Sequence, residues 1–257
     1  MKSNTFKVAE DLFWVLAMWA VWFLGITLII NIVKSIIGAI SSSEVDSFYN
    51  VVYVLGNIFI FIIGLLFITF LSNLVENGVT RKDYFIGVLF SSAAISIIIP
   101  PISWVISTIE KYILGLFLDI SYAESSINSL DFDGNFIGDL IQLLIAAPYT
   151  SPDSNLILSF ALFSFNLFVY FTLGLFIGSG FYRFGGTIGM FVLIPIAILF
   201  NVIIDAFLRK TLDLPLVSWL AMVDNMPMGI AFSAAIAATV ILLVAIRYLT
   251  RKVAIKL

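Results

Sequence analysis

Apolar residues in this chain collect into six long runs that are separated by short polar segments. Each run is close to the ~20 residues that a helix needs to cross about 30 Å of hydrocarbon. Backbone groups in lipid must satisfy their own hydrogen bonds, which favours helices over other structures. The pattern therefore predicts an all-α protein with one transmembrane domain. We expect its six transmembrane helices at residues 12–33, 51–71, 86–109, 156–181, 188–208 and 230–248.

Two features interrupt this simple pattern. Pro100 and Pro101 stand in the middle of the third run, where they predict a kink or a break in the helix. The long segment 118–155 contains an apolar stretch, 136–147, that is too short to cross. We expect this stretch to form an interfacial or re-entrant helix on the outer face, with a second short piece at 214–223.

Basic residues are distributed unevenly between the two sides of the predicted bundle. With the N-terminus inside, nine of the 13 lysines and arginines fall in cytoplasmic segments and four fall outside. This follows the positive-inside bias and predicts that both termini are cytoplasmic. The whole stretch 112–182 has no lysine or arginine, so we expect segment 118–155 to be extracellular.

The composition excludes several classes of function. The chain is 61% hydrophobic and 11% charged, whereas soluble domains average roughly 45–50% apolar and about 25% charged residues. It contains no cysteine and no histidine, which removes thiolate chemistry and the commonest general base and metal ligand. It also lacks a P-loop pattern and a carboxylate pair within a run. We therefore expect no catalytic residue, no metal site and no cofactor in this chain.

Ionisable residues are missing from the middles of most predicted spans, which argues against a carrier driven by ions or protons. We expect Asp205 and Lys34 to lie near outer helix ends, where they reach water. Two neutral polar residues inside the fourth span, Asn166 and Thr172, define a possible substrate path together with the aromatic Phe168. Alternatively, such groups only join helices to one another, at about 0.6 kcal/mol each.

Gly174 and Gly178 form a small-xxx-small pattern in the fourth span. Such a pattern lets two helix backbones approach closely. The partner helix is either in a second copy of the chain, which makes this a possible dimer face, or in the same subunit.

The polar segment 72–85, which we call the elbow, carries the most specific local pattern. Asn77 and Gly78 form a turn signal, and Thr80 followed by Asp83 forms a capping box. A helix is therefore expected to begin at Arg81 and to continue into the membrane. The elbow is predicted to be a rigid polar feature that faces the cytosol and could receive a partner protein.

Residues 77–87, with the sequence NGVTRKDYFIG, resemble the G-[VI]-[ST]-R-[KR]-x-[FY]-F elbow of bacterial ABC-2-type transporter permeases. The six-span layout, the tight turn after the fourth span and the basic C-terminal tail are similar as well. The resemblance implies a multi-pass subunit of an ABC exporter in the bacterial plasma membrane, with the elbow as its coupling helix. Contacts to the ATPase would then fall on Glu76, Asn77, Gly78, Val79, Thr80, Arg81, Lys82, Asp83, Tyr84 and Phe85.

The resemblance also implies the partners. Two permease subunits, identical or related, would pair with two separate ATPase subunits that bind ATP and Mg, and no nucleic acid is expected. The cargo would be an amphipathic peptide, a drug or a lipid-like molecule. Two alternatives stay open: a secondary carrier or channel that works without ATP, and a membrane sensor or immunity subunit that transports nothing.

Overall fold

The computed structural model describes residues 4–123, 138–140, 143 and 148–251 of the chain. Within these residues, six helices are long and apolar enough to cross a membrane, so the chain is a multi-pass membrane protein. The helices, which we label in chain order, are α1 Asn4–Ser41, α2 Phe48–Phe67, α3 Phe70–Glu76, α4 Arg81–Gly115, α5 Leu156–Phe184, α6 Ile194–Thr211 and α7 Met228–Arg251. The short helix α3 extends the second span beyond α2.

Contacts between helix ends divide the bundle into two ends. The start of α1 meets the start of α4, where Thr5 bonds Asp83, and the end of α7 meets the same place through Arg251 and Arg81. We call this the terminal end. The other end, which we call the distal end, holds the connection between α1 and α2, the segment after α4 and residues 148–155. There, backbone bonds join Val45 to the segment after α4.

Helices α1 and α4 run parallel with a nearly constant register. Thr5 pairs with Asp83 at a sequence separation of 78, and Asn31 pairs with Glu110 at a separation of 79. The two helices therefore stay side by side from the terminal end almost to the distal end. Asn31 and Glu110 are buried on the face that the two helices share.

Helices α2 and α5 pack through glycine. A Cβ added to Gly174 would lie 2.0 Å from the Phe61 carbonyl oxygen, and one added to Gly178 would lie 2.3 Å from the Leu65 carbonyl oxygen. Gly64 of α2 is equally close to α5. The two backbones therefore touch within one chain. The glycine face is covered by α2 and is not available to a second copy.

The helices extend beyond the apolar runs that predicted them. A run marks the part of a helix that lipid surrounds, whereas the hydrogen-bonded backbone continues into polar residues at each end. Thus α1 begins at Asn4, where the apolar run begins at residue 12. Asn155 caps the start of α5, because its side-chain oxygen accepts from the Leu158 amide at 3.1 Å.

Of the kink or break predicted at the two prolines, the break is wrong, because α4 continues through Pro100 and Pro101. Proline removes a backbone donor but leaves its own carbonyl free to accept. The Ser103 hydroxyl donates to the Pro100 carbonyl at 2.8 Å. Pro100 is buried, so packing holds this part of the helix in place.

The short connections also take regular forms. The turn after α5 is as tight as expected: Gly185, with φ of 85°, is followed directly by a helical turn at Gly186–Ile188 and a π-helix at Gly189–Leu193 that continues into α6. The piece expected at 214–223 is a 3₁₀ helix at Ser218–Asn225. The stretch 136–147 lies mostly outside the described residues.

Candidate functional site

The elbow is a helix–turn–helix at the terminal end. After α2 ends, α3 forms a separate helix of seven residues, and Asn77 to Thr80 turn the chain into α4. Gly78 has φ of 83°, a left-handed conformation that glycine adopts without steric cost. The Asn77 side-chain amide donates to the Asn73 carbonyl at 2.8 Å, which closes the end of α3. The turn signal in the sequence therefore predicted this bend correctly.

The start of α4 is capped as expected. The Thr80 hydroxyl oxygen accepts from the Asp83 backbone N–H at 3.1 Å, and the hydroxyl donates to Asp83 Oδ2 at 2.6 Å. The other oxygen of Asp83 accepts from the Thr5 hydroxyl at the start of α1. Asp83 therefore links α1 to the first turn of α4, a role that the capping pattern did not reveal.

Further contacts fix the elbow to α2 and α7. The buried Tyr84 hydroxyl donates to the Phe67 carbonyl at 2.8 Å, where α2 ends. Arg247 of α7 donates to the Arg81 carbonyl at 3.1 Å and lies over the Phe85 ring, 5.6 Å from its centroid. The elbow is thus joined to three spans, and a force applied to it would reach all of them.

Fewer residues of the elbow are exposed than the ten that were predicted to contact the ATPase. Tyr84 is buried, so its side chain faces the bundle. Among the ten residues that were predicted to contact the ATPase, four are half-buried: Val79, Arg81, Asp83 and Phe85. Five of the ten are exposed: Glu76, Asn77, Gly78, Thr80 and Lys82.

The predicted substrate path lies inside the bundle. Asn166 is buried, and its amide donates to the Tyr53 hydroxyl at 3.2 Å. Thr172 is fully buried and donates to the carbonyl of Phe168, a half-buried residue of the same helix. Asn166 therefore joins α5 to α2, as polar residues between membrane helices do, whereas the bond of Thr172 stays within α5.

The expectation that Asp205 reaches water is wrong, since Asp205 is only 4% exposed. It forms an ion pair with the fully buried Arg209, with 2.6 Å between Oδ2 and Nε. The Tyr149 hydroxyl donates to its other oxygen at 2.6 Å. Burial, with help from this carboxylate, raises the pKa of Tyr149 well above its usual value and keeps the hydroxyl a donor. The sequence predicted that Asp205 lies near a helix end, in contact with water. Its i,i+4 spacing from Arg209 instead brings the two charges together inside the protein. By contrast, Lys34 is exposed, as expected.

A second buried carboxylate, Glu110, was missed by the sequence reading. It lies in the last turns of α4 and is 6% exposed. The Asn31 amide donates to both of its oxygens, at 2.9 and 3.2 Å. Glu110 directly follows the third apolar run and so looked like a residue at a helix end. The signal was the spacing of buried serines along α4, since Ser103 and Ser107 share its face.

Near Glu110, the distal end contains a polar cavity of about 740 Å³, which we call the vestibule. It lies between the start of α2, the end of α4 and residues 151–154. Burial, and to a smaller extent the Glu110 carboxylate, raises the pKa of Tyr122 in its wall. The residues that line it include Tyr49, Trp104, Ser107, Lys111, Tyr122 and Asp153.

Comparison with family models, with characterised proteins and with solved structures found no match for the chain. The likeness to ABC-2 permeases therefore rests on the elbow residues and the layout of the spans. The class of protein that the structure itself defines is a multi-pass helical membrane protein.

Proposed function

We propose that this chain is the membrane subunit of an ATP-driven exporter, and that a separate ATPase subunit docks on the elbow. The observation that supports this most directly is the elbow itself. It is a short helix and a polar turn at the end of the bundle where the first and last described residues also lie, and five of the ten predicted contact residues there are exposed.

The contacts of the elbow suit a part that transmits force. A partner can drive a transporter from one state to another only if it binds the two states with different affinity. Asp83 connects the elbow to α1, and Arg247 connects it to α7. A partner that pulls or pushes the elbow would therefore reposition several spans together, without a nucleotide site in this chain.

The cargo belongs to the proposal as well. We infer an amphipathic peptide, a drug or a lipid-like molecule, because the bundle offers long apolar surfaces and few charges. Two copies of the chain, or two related chains, would form the path. Since α2 covers the glycine face of α5, the contact between copies would use another surface.

The test is purification of the tagged full-length chain from its native membrane. We expect an ATPase to purify with it and the complex to hydrolyse ATP. Charge reversal of the exposed elbow residues, Glu76→Lys with Lys82→Glu, should remove both the partner and the ATP hydrolysis. The matched control reverses two residues at the distal end, Glu44→Lys with Lys34→Glu, and should retain both. An intact complex after the elbow reversal would disprove docking at this surface.

A second candidate, a carrier driven by a cation gradient, is favoured by one observation. Glu110 is a buried carboxylate within a membrane span, and such residues commonly mark ion or proton pathways. Transport by this candidate would depend on an ion gradient and would persist when the ATPase is absent. Transport by the exporter would stop.

A further inference from the structure

Several buried polar groups near Glu110 make no hydrogen bond. Its carboxylate accepts from the Asn31 amide, but the Asn31 side-chain oxygen Oδ1 is buried without a partner. The hydroxyls of Ser35 and Ser107 are also buried without a partner. A buried polar group that makes no hydrogen bond costs about 1–3 kcal/mol, so three together in one place need an explanation.

The helix register places these groups along the α1–α4 interface, with Ser107 one turn to one side of the carboxylate and Ser35 one turn to the other side. Ser107 precedes Glu110 by three residues on α4, and Ser35 follows Asn31 by four residues on α1, so each lies one turn away on the same face. Asn31 and Glu110 are in direct contact across the two parallel helices. All four side chains are more than nine-tenths buried. The result is a line of oxygen atoms along the α1–α4 interface with one carboxylate in it.

The negative charge of Glu110 has no basic partner. Among residues 4–123 and 148–251, no lysine or arginine forms an ion pair with it. The adjacent Lys111 instead lies over the Tyr122 ring, 5.0 Å from its centroid. On α1, Lys34 is one turn beyond Asn31 but pairs with Asp46 at 2.8 Å. An unpaired carboxylate buried in a membrane span is costly unless something neutralises it.

The vestibule comes within one turn of this carboxylate. Ser107, Lys111 and Tyr122 line it, and the first two of these lie within one turn of Glu110 on α4. A small ion could therefore come from the distal surface as far as Ser107 and meet Glu110 in the next turn. Glu110 itself lines a groove between α1 and α4, and the other residues of this groove, among them Leu28 and Ile106, are apolar and would exclude larger polar molecules.

We propose that Glu110, with Asn31 Oδ1 and the Ser107 hydroxyl, binds one small monovalent cation, either Na⁺ or a proton. All the available ligands are oxygens, which suit hard cations. One carboxylate balances one positive charge, whereas divalent sites collect several carboxylates. This proposal is independent of the ATPase, because the site lies at the distal end, away from the elbow.

The test measures thermal unfolding of the purified full-length chain by tryptophan fluorescence, with NaCl exchanged for choline chloride at constant ionic strength. An ion that binds only the folded state raises the unfolding temperature with its concentration. If the cation is Na⁺, we expect this rise at alkaline pH, and we expect Glu110→Gln to abolish it. Glu44→Gln, an exposed carboxylate at the same end, should leave the rise intact.

If the cation is a proton, Na⁺ will have no effect and the unfolding temperature will fall as the pH rises. Glu110→Gln will remove this fall, since the amide mimics the protonated carboxyl. Infrared difference spectra should then show a protonated carboxyl band that is missing in Glu110→Gln. A dependence on neither ion, or a dependence that survives in Glu110→Gln, overturns the proposal.

Ser107→Ala provides a test that does not require changing the charge. It deletes one ligand oxygen that makes no hydrogen bond to the protein, so folding should be preserved. If the cation is Na⁺, we expect the affinity for radioactive sodium to fall about tenfold. If it is a proton, we expect the midpoint of the pH dependence to fall by about one pH unit, which is the same tenfold loss of affinity. Unchanged binding in Ser107→Ala together with Asn31→Ala would contradict the proposed ligand set. Neither result bears on docking at the elbow.

Discussion

The backbone contact between spans where Gly174 of α5 meets α2 gives the sharpest prediction about stability. A Cβ at this position would lie 2.0 Å from the Phe61 carbonyl oxygen, whereas ordinary van der Waals contact begins at 3.4 Å. Gly174→Ala therefore forces the two backbones apart by about 1.4 Å or distorts one of them. Overpacking of this kind costs roughly 1–3 kcal/mol. Because the obstacle is backbone, a change of side-chain rotamer cannot relieve it.

The matched control is Gly25→Ala in α1, where an added Cβ would meet nothing within 4 Å. Both substitutions gain the helix propensity of alanine, about 1 kcal/mol, so the difference between them isolates the clash. The assay is unfolding of the purified chain by titration with sodium dodecyl sulfate. We expect Gly174→Ala to be less stable than Gly25→Ala by roughly 1–3 kcal/mol. Equal stability of the two variants would show that α2 and α5 do not touch here.

Other contacts give predictions for the same unfolding assay. Arg209→Gln leaves Asp205 buried without its partner and should cost about 3–5 kcal/mol, and adding Asp205→Asn should recover part of the loss. An Arg209→Gln variant as stable as wild type would contradict the buried pair. Tyr84→Phe removes the bond to the Phe67 carbonyl and should cost about 0.5–1.5 kcal/mol. Thr5→Val removes a bond to Asp83, so hydrogen exchange of the elbow amides should become faster, and unchanged exchange would refute this link.

The number of spans and their positions along the chain could be predicted because membrane helices follow simple physics. Lipid requires long apolar helices, and the sequence contains six of them. The ends were less predictable, because helix α1 continues over polar residues that hydropathy excludes. The prolines did not break the helix, because tertiary packing overrides a local preference. Pro100 and Pro101 each remove one backbone donor, at roughly 3 kcal/mol in a helix interior, and the burial of Pro100 helps to offset that cost.

The elbow could be predicted from local sequence because its bonds are local. Gly78 requires a special backbone conformation, and Thr80 caps the next helix three residues before its partner. The links of Asp83 to Thr5 and of Arg247 to Arg81 join residues far apart in sequence. No pattern within a single segment encodes such a pairing, so only the structure could reveal it.

The buried charges escaped sequence analysis for the same reason. Glu110 and Asp205 both lie near helix ends, where a carboxylate usually reaches water. Their burial depends on neighbours that other parts of the chain supply: Asn31 for Glu110 and Tyr149 for Asp205. The glycine pattern shows the reverse case, since the sequence located the close contact but left two candidates for the partner helix.

The most direct test of docking at the elbow uses the absence of cysteine from the chain. Asn77→Cys places one thiol on the exposed elbow, and Glu44→Cys places one at the distal end. Both are treated with a membrane-impermeant maleimide in inside-out vesicles, before and after urea strips peripheral proteins. We predict that Asn77→Cys reacts only after stripping and that Glu44→Cys never reacts. Labelling of Glu44→Cys with Asn77→Cys protected throughout would place the elbow outside the cell and contradict the account.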